Sequence, residues 1–235
     1  MHINPSIPHD ELKRTASADT QTPIVFVVDD DVSVREALEL LIDSAGWIAQ
    51  TFASAADFLA ANRPGCPNCM ILDVYLPDRN GLDLQKLISD DRREMPIIFV
   101  TGQGDIPTSV KAMKAGAVEF LTKPFEESDL LNAVEDALRR SREAIALDSD
   151  MDTLRARHAS LSRRERQVLA LVVSGLMNKQ VAYELGISMV TVKTHRGKVM
   201  EKMQASSFAD LVSLAGKLGI GREPTAAPEK VSSAR

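Results

Sequence analysis

The sequence predicts a five-stranded, doubly wound parallel α/β domain, then a helical linker, then a small all-α domain. Three observations predict it. Short apolar runs alternate with helix-period segments from residue 24 to about 140. Those runs are four or five residues of near-continuous hydrophobicity, as in strands covered on both faces by helices. From residue 161 the apolar spacing is helical throughout. The expected organisation is a disordered N-terminus over 1–22, the α/β domain over 23–140, the linker over 141–156, the all-α domain over 157–220 and a disordered tail over 221–235.

In the first domain the strands are IVFVV (24–28), IAQTF (48–52), CMIL (69–72), IIFV (97–100) and VEFL (118–121). Helical patterns fall near 32–44, 54–61, 82–89 and 106–115, with a last one from about 127. Residues 139–160 are polar with scattered apolar positions and no sustained heptad, which excludes a long coiled coil. In open α/β sheets ligands bind outside the carboxyl ends of the strands. The first strand runs out onto Asp29, Asp30 and Asp31, the third onto Asp73, the fourth onto Thr101 and the fifth onto Lys123-Pro124. Four acids, a hydroxyl and an ammonium therefore meet on one edge.

Carboxylates this close raise each other's cost of ionisation unless a cation sits among them. An all-oxygen donor set without His or Cys suits a hard ion, and Mg²⁺ fits better than zinc. Asp30 and Asp73 would hold it, with Asp29 close behind. A carboxylate oxygen beside Mg²⁺ can attack phosphorus and form an aspartyl phosphate. Asp73, alone on the central strand, is the expected nucleophile, and Lys123 and Thr101 would receive the phosphoryl oxygens. Asp31 reads equally as the N-cap of the next helix. A phosphatase of the haloacid dehalogenase-like type needs a second Asp two residues on, where Tyr75 stands, so an enzyme is not expected.

The last domain differs in charge. Residues 157–220 carry ten Lys and Arg against four Asp and Glu, a net of +6 in a chain of net −5, so the rest sums to −11. A basic module on an acidic body points to a polyanion, nucleic acid first. Ser162 and Glu165 have the form of a capping box before helix 163–173, with Val168, Leu169, Leu171 and Val172 on its apolar face. Gly175 suits its stop, Asn178 the cap of helix 178–185, and Gly186 a tight turn before helix 189–203. Two helices joined by a short Gly-bearing turn make a helix-turn-helix whose second helix enters the major groove of duplex DNA. That helix carries Thr191, Lys193, Thr194, His195, Arg196 and Lys198, with Val190, Val192 and Val199 at apolar positions. A last helix over 207–218 has an apolar face of Phe208, Leu211, Val212, Leu214 and Ala215.

No run of about 18 apolar residues predicts a membrane span. The polar N-terminus lacks a signal-peptide core, so the expected location is cytoplasmic. Cys66 and Cys69 have neither a second pair nor a nearby His and read as inert thiols.

Residues 23–140 resemble a two-component receiver domain of the CheY-like kind, through DD (Asp29, Asp30), D (Asp73), T (Thr101) and KP (Lys123-Pro124) in that order and spacing. Residues 161–203 resemble the LuxR-type helix-turn-helix, through "LSRRERQVL", "GLMNKQVA", "LGISMVTVKTH" and "KM". Together they resemble a response regulator of the NarL/FixJ subfamily. The resemblance implies that Asp73 accepts a phosphoryl group from a sensor histidine kinase with Mg²⁺ required. Asp29 and Asp30 would be the acid pair, and the Tyr75 carbonyl a further metal ligand. Thr101 and Lys123 would read the phosphoryl group, and Phe120 would be the switch aromatic. Tyr75 and Gln103 occupy positions where the family tunes phosphoryl lifetime. It further implies that Lys193, Thr194 and Gly197 face base edges, while Lys179, Ser188, Thr191, Arg196 and Lys198 lie nearer the DNA backbone. The implied function is phosphorylation-activated transcription control, with homodimerisation on phosphorylation, promoter DNA as target and RNA polymerase as a further partner.

Overall fold

A computed structural model describes residues 22–62, 65–89, 94–102 and 106–221. The segments expected to be disordered, apart from residues 22 and 221, lie outside the described residues, as does Gln103. The chain divides into two compact units between Leu147 and Asp148.

The first unit holds five parallel strands, β1 (Ile24–Val28), β2 (Ile48–Phe52), β3 (Asn68–Leu72), β4 (Ile97–Thr101) and β5 (Glu119–Thr122), in the order β2-β1-β3-β4-β5. Every residue of β3 and β4 is buried, which is why these runs carry no polar alternation. Five helices connect and cover the sheet: α1 (Val32–Ser44), α2 (Ala55–Ala60), α3 (Gly81–Ser89), α4 (Ile106–Lys114) and α5 (Glu127–Ala159).

Because successive strand side chains point to opposite faces, the apolar runs supply two cores. Phe26, Met70, Leu72 and Phe99 pack with Phe58 of α2, Leu84 of α3 and Ala112 of α4. Val25, Val27, Ile71, Ile98 and Val100 pack with Leu38 and Ile42 of α1 and with Leu130, Val134 and Leu138 of α5. Each such buried Leu, Ile or Phe contributes about 1.5–3 kcal/mol. Strand order reverses between β1 and β3, so the crevice there lies at the ends carrying Asp29, Asp30 and Asp73.

α5 is one uninterrupted helix of 33 residues, with no Gly or Pro to stop it. Exposed ion pairs run along it, Arg139 with Asp136 and Glu143, and Arg155 with Asp152. In the first unit it is fastened at Ser141, which is fully buried and whose Oγ accepts the Asn68 N–H at 3.0 Å.

The second unit comprises the end of α5 with α6 (Arg163–Val173), α7 (Asn178–Leu185), α8 (Met189–Met203) and α9 (Phe208–Lys217) around a core of Leu154, Leu161, Val168, Val172, Val181, Val192, Val199, Met203 and Leu211. The capping box that starts α6 is formed, with the Glu165 amide donating to Ser162 Oγ and the Ser162 amide to Glu165 Oε2. α7 ends on Gly186 in the left-handed region at φ 62°, which turns the chain into α8. Asn178 does not cap α7, as the sequence suggested. It is the first helical residue, the cap position is Met177, and the Met177 amide donates to Gln180 Oε1.

Candidate functional site

β1 and β3 deliver their carboxylates to one crevice. Asp29 is buried, Asp73 half-buried and Asp30 exposed, and one oxygen of each lies within 4.8 Å of the others. The Asp73 amide donates to the Val28 carbonyl at 2.9 Å, and Asp73 Oδ1 accepts from the Tyr75 amide at 3.1 Å. Asp29 is fixed through both its carboxylate, which accepts the Asp31 amide, and its carbonyl, which accepts from Arg35 Nη1 at 2.7 Å. Asp31 itself caps α1, accepting from the Ser33 amide at 2.8 Å.

Lys123 reaches into this cluster. Its Nζ lies 2.6 Å from Asp29 Oδ2 and 3.3 Å from Asp73 Oδ2. Burial alone would lower its pKa, but the bonds and charges of Asp29 and Asp73 outweigh that and raise it, so it stays an ammonium. The Lys123 amide donates to the Thr101 carbonyl at 2.8 Å, and Thr101 is fully buried beside it. The Lys123-Pro124 bond is cis. Three carboxylates against one ammonium leave about two negative charges, which a divalent cation would cancel. The all-oxygen donor set therefore fits a hard cation. Phe120 is half-buried and packs on Phe99, with ring centroids 6.1 Å apart.

Two supporting residues escaped the sequence reading. A side chain at Gly81 would overlap the carbonyl oxygen of Asp73 and press on Phe99 and Val74 at 3.2 Å. Asp78 accepts the amides of Ala55 and Ala56 at 3.2 and 3.0 Å, so the loop after Asp73 also caps α2. Burial opposes the charge on Asp78, yet these amides and Arg79 hold its carboxyl below the usual range. The Pro-Asp and Asn-Gly pairs in "LPDRNG" mark the turn but not its contacts. Burial raises both Cys66 and Cys69 thiols, as inert cysteines require.

In the second unit Lys179, Ser188, Lys193, Thr194, Gly197 and Lys198 are exposed, and Thr191 and Arg196 are half-buried. Ser188 caps α8 by accepting the Thr191 amide at 3.1 Å, with its hydroxyl 2.9 Å from that of Thr191. Arg196 is braced internally: Nη1 donates to Asn178 Oδ1 at 3.2 Å, and the guanidinium stacks 4.6 Å over the Phe208 ring. It thereby ties α8 to both α7 and α9. Val192 and Val199 are fully buried as expected, whereas Val190, read as their companion, is 73% exposed. Beneath the helix, Lys202 Nζ bonds the buried Glu165 at 2.7 Å and the Ser160 carbonyl at 3.2 Å. The Lys202 bond, then the Ser162 amide, lower the Glu165 pKa to about 2. Among the described residues no helix is long and apolar enough to cross a membrane.

Residues 25–135 match the response regulator receiver domain family, and residues 159–215 match the bacterial regulatory proteins of the luxR family. Nodulation protein W of Bradyrhizobium diazoefficiens is 46% identical over 86% of this chain and 89% of its own. Transcriptional regulatory protein FixJ of Azorhizobium caulinodans is 43% identical over 87% of this chain and 97% of its own. Among solved structures, that of the response regulator StyR is 48% identical and superposes with a TM-score of 0.74, covering 84% of this chain and 100% of that one.

Proposed function

The chain belongs to the two-component response regulators that join a receiver domain to a LuxR-type DNA-binding domain, which are transcriptional regulators rather than enzymes, and from that premise we propose that it is switched by phosphorylation of Asp73. A kinase as phosphodonor and DNA as target follow from the family, and receiver domains bind Mg²⁺ at an acidic pocket of this kind. The observation that carries the proposal is the convergence of Asp29, Asp30, Asp73 and Lys123 beside a buried Thr101 at the strand ends.

Asp29, Asp30, Asp73 and the Tyr75 carbonyl would hold the Mg²⁺, which shields the charge on the incoming phosphoryl group. Asp73, hydrogen-bonded to Lys123, attacks phosphorus of a phosphohistidine on the sensor kinase. The P–N bond breaks, its electron pair returns to the imidazole, and a P–O bond forms on the carboxylate. Lys123 then exchanges its bond to Asp73 for a phosphoryl oxygen, and the Thr101 hydroxyl donates to another. Movement of Thr101 frees Phe120 to turn inward and alters the surface of α4 and β5. There Ile106, Val110 and Met113 present exposed apolar side chains at helical spacing on α4, a face suited to pairing two phosphorylated copies.

Pairing places two basic modules on a promoter at once and raises the effective concentration of the second. Lys193, Thr194 and Gly197 face base edges. Lys179, Ser188, Thr191, Lys198 and the free N–H groups of Arg196 meet phosphates. The protein works in the cytoplasm, and RNA polymerase is its further partner at the promoter.

The test is transfer of labelled phosphoryl from a small phosphodonor with Mg²⁺, with mass followed by light scattering. Wild type takes up one label and doubles in mass. Asp73→Asn takes up none and stays monomeric. Equal labelling of both proteins would overturn Asp73 as the acceptor. Labelling without a change in mass would overturn the pairing step alone.

A further inference from the structure

α8 has two faces of opposite character. Val192, Val199 and Met203 are fully buried in the second core. Val190 stands two residues before Val192, about 200° round the helix, so it leaves from the opposite side. It shares that outer side with Lys193, Thr194 and Gly197, three, four and seven residues on, all exposed.

Neither packing nor helix formation accounts for a valine there. At 73% exposure it buries little in the free protein, and its β-branch loses rotamer freedom on a helix. What surrounds it is suited to a polyanion: no carboxylate occurs from Met189 through Lys198, and Lys193 and Lys198 stand exposed on the same helix. The Thr194 hydroxyl donates to the Val190 carbonyl at 3.1 Å, so its proton is already engaged and is not offered to a base. The outer side of the helix start therefore offers one cation and an apolar group, and the Thr194 hydroxyl beside them is already engaged.

The floor of the major groove has one apolar feature, the 5-methyl of thymine, while guanine offers the acceptors that Lys favours. Resting on the DNA-binding reading above, we infer that Val190 is a specificity-determining residue whose isopropyl group packs on a thymine methyl, next to the base engaged by Lys193. Cytosine at that place lacks the methyl, and adenine and guanine set polar atoms against the side chain. Selection thus comes from what the valine cannot hydrogen-bond as well as from what it covers.

The experiment uses the full chain and a preferred site selected from random duplex DNA. Each thymine of that site is replaced in turn by deoxyuridine, which lacks only the methyl, and affinity is read by fluorescence anisotropy. In wild type one position per half-site weakens binding about fourfold, the worth of one buried methyl group. Val190→Ala loses that sensitivity at that position, and Val190→Ile keeps it. Because the side chain lies outside the core, neither variant disturbs the fold, and circular dichroism checks this. If no position separates wild type from Val190→Ala while selective binding persists, the inference fails and the DNA-binding reading stands, with solvent or another protein covering Val190. If wild type selects no sequence with or without beryllofluoride, both fail.

Discussion

In the first unit three carboxylates crowd within 4.8 Å of one another around an ammonium drawn into the crevice, while in the second Lys179 of α7 and Lys193 and Lys198 of α8 stand exposed to solvent. The pocket suits a small, compact charge, and its Asp29, Asp73 and Lys123 are drawn out of solvent and bonded to one another before anything binds. The helix face is made for a long, evenly charged polymer whose counterions are released on contact, so its cations are spaced and hydrated. One chain thus holds two charge sites that should respond to the same perturbations to very different degrees.

Salt separates them most. Three proposed phosphate contacts, from Lys179, Arg196 and Lys198, predict a slope of log affinity on log salt of about −2.7 per module, roughly a fortyfold loss between about 50 and 200 mM. Phosphoryl uptake at Asp73 changes little over that range, because buried pairs are weakly screened. Anisotropy and labelling measured in parallel check this, and a flat slope for DNA would break the comparison.

Glycine sharpens it. Gly81→Ala must displace the Asp73 backbone and should cost about 1–3 kcal/mol, read by urea unfolding of Trp47, the single tryptophan, together with slower labelling. Gly197→Ala meets nothing within 4 Å and lies inside a helix, so it should stabilise α8 by about 0.5–1 kcal/mol in hydrogen exchange. In the proposed DNA-binding reading its new methyl stands on the base-edge side and should weaken binding there.

Acid gives the smallest effect. The Glu165 carboxyl, held at about 2 against an ordinary 4.5, adds stability that is present above pH 4.5 and lost as pH falls through about 2. Lys202→Met should cost about 1 kcal/mol at neutral pH, since Lys202 is itself 37% exposed. The gap to wild type should close in acid, when Glu165 is protonated in both. Hydrogen exchange of α6 and α8 amides follows it.

The strands were legible because β1, β3 and β4 are covered on both faces and leave unbroken apolar runs. The pocket was legible because each of its groups ends a strand, where position in sequence predicts position in space. Asp78 over the start of α2, Gly81 against the Asp73 carbonyl and Arg196 between Asn178 and Phe208 depend on contacts across many residues, which local pattern does not encode. Val190 was misread for a finer reason. It is as apolar as Val192, and only the phase of the helix sends one inward and the other out.

Ser141 has a consequence of that same geometric kind. Its Oγ is the partner of a fully buried amide, so sliding or rotating α5 by one residue would strand the Asn68 N–H, costing about 1–3 kcal/mol. The contact works as an indexing pin. Within the first unit it fixes both the rotation and the register of α5 against the sheet.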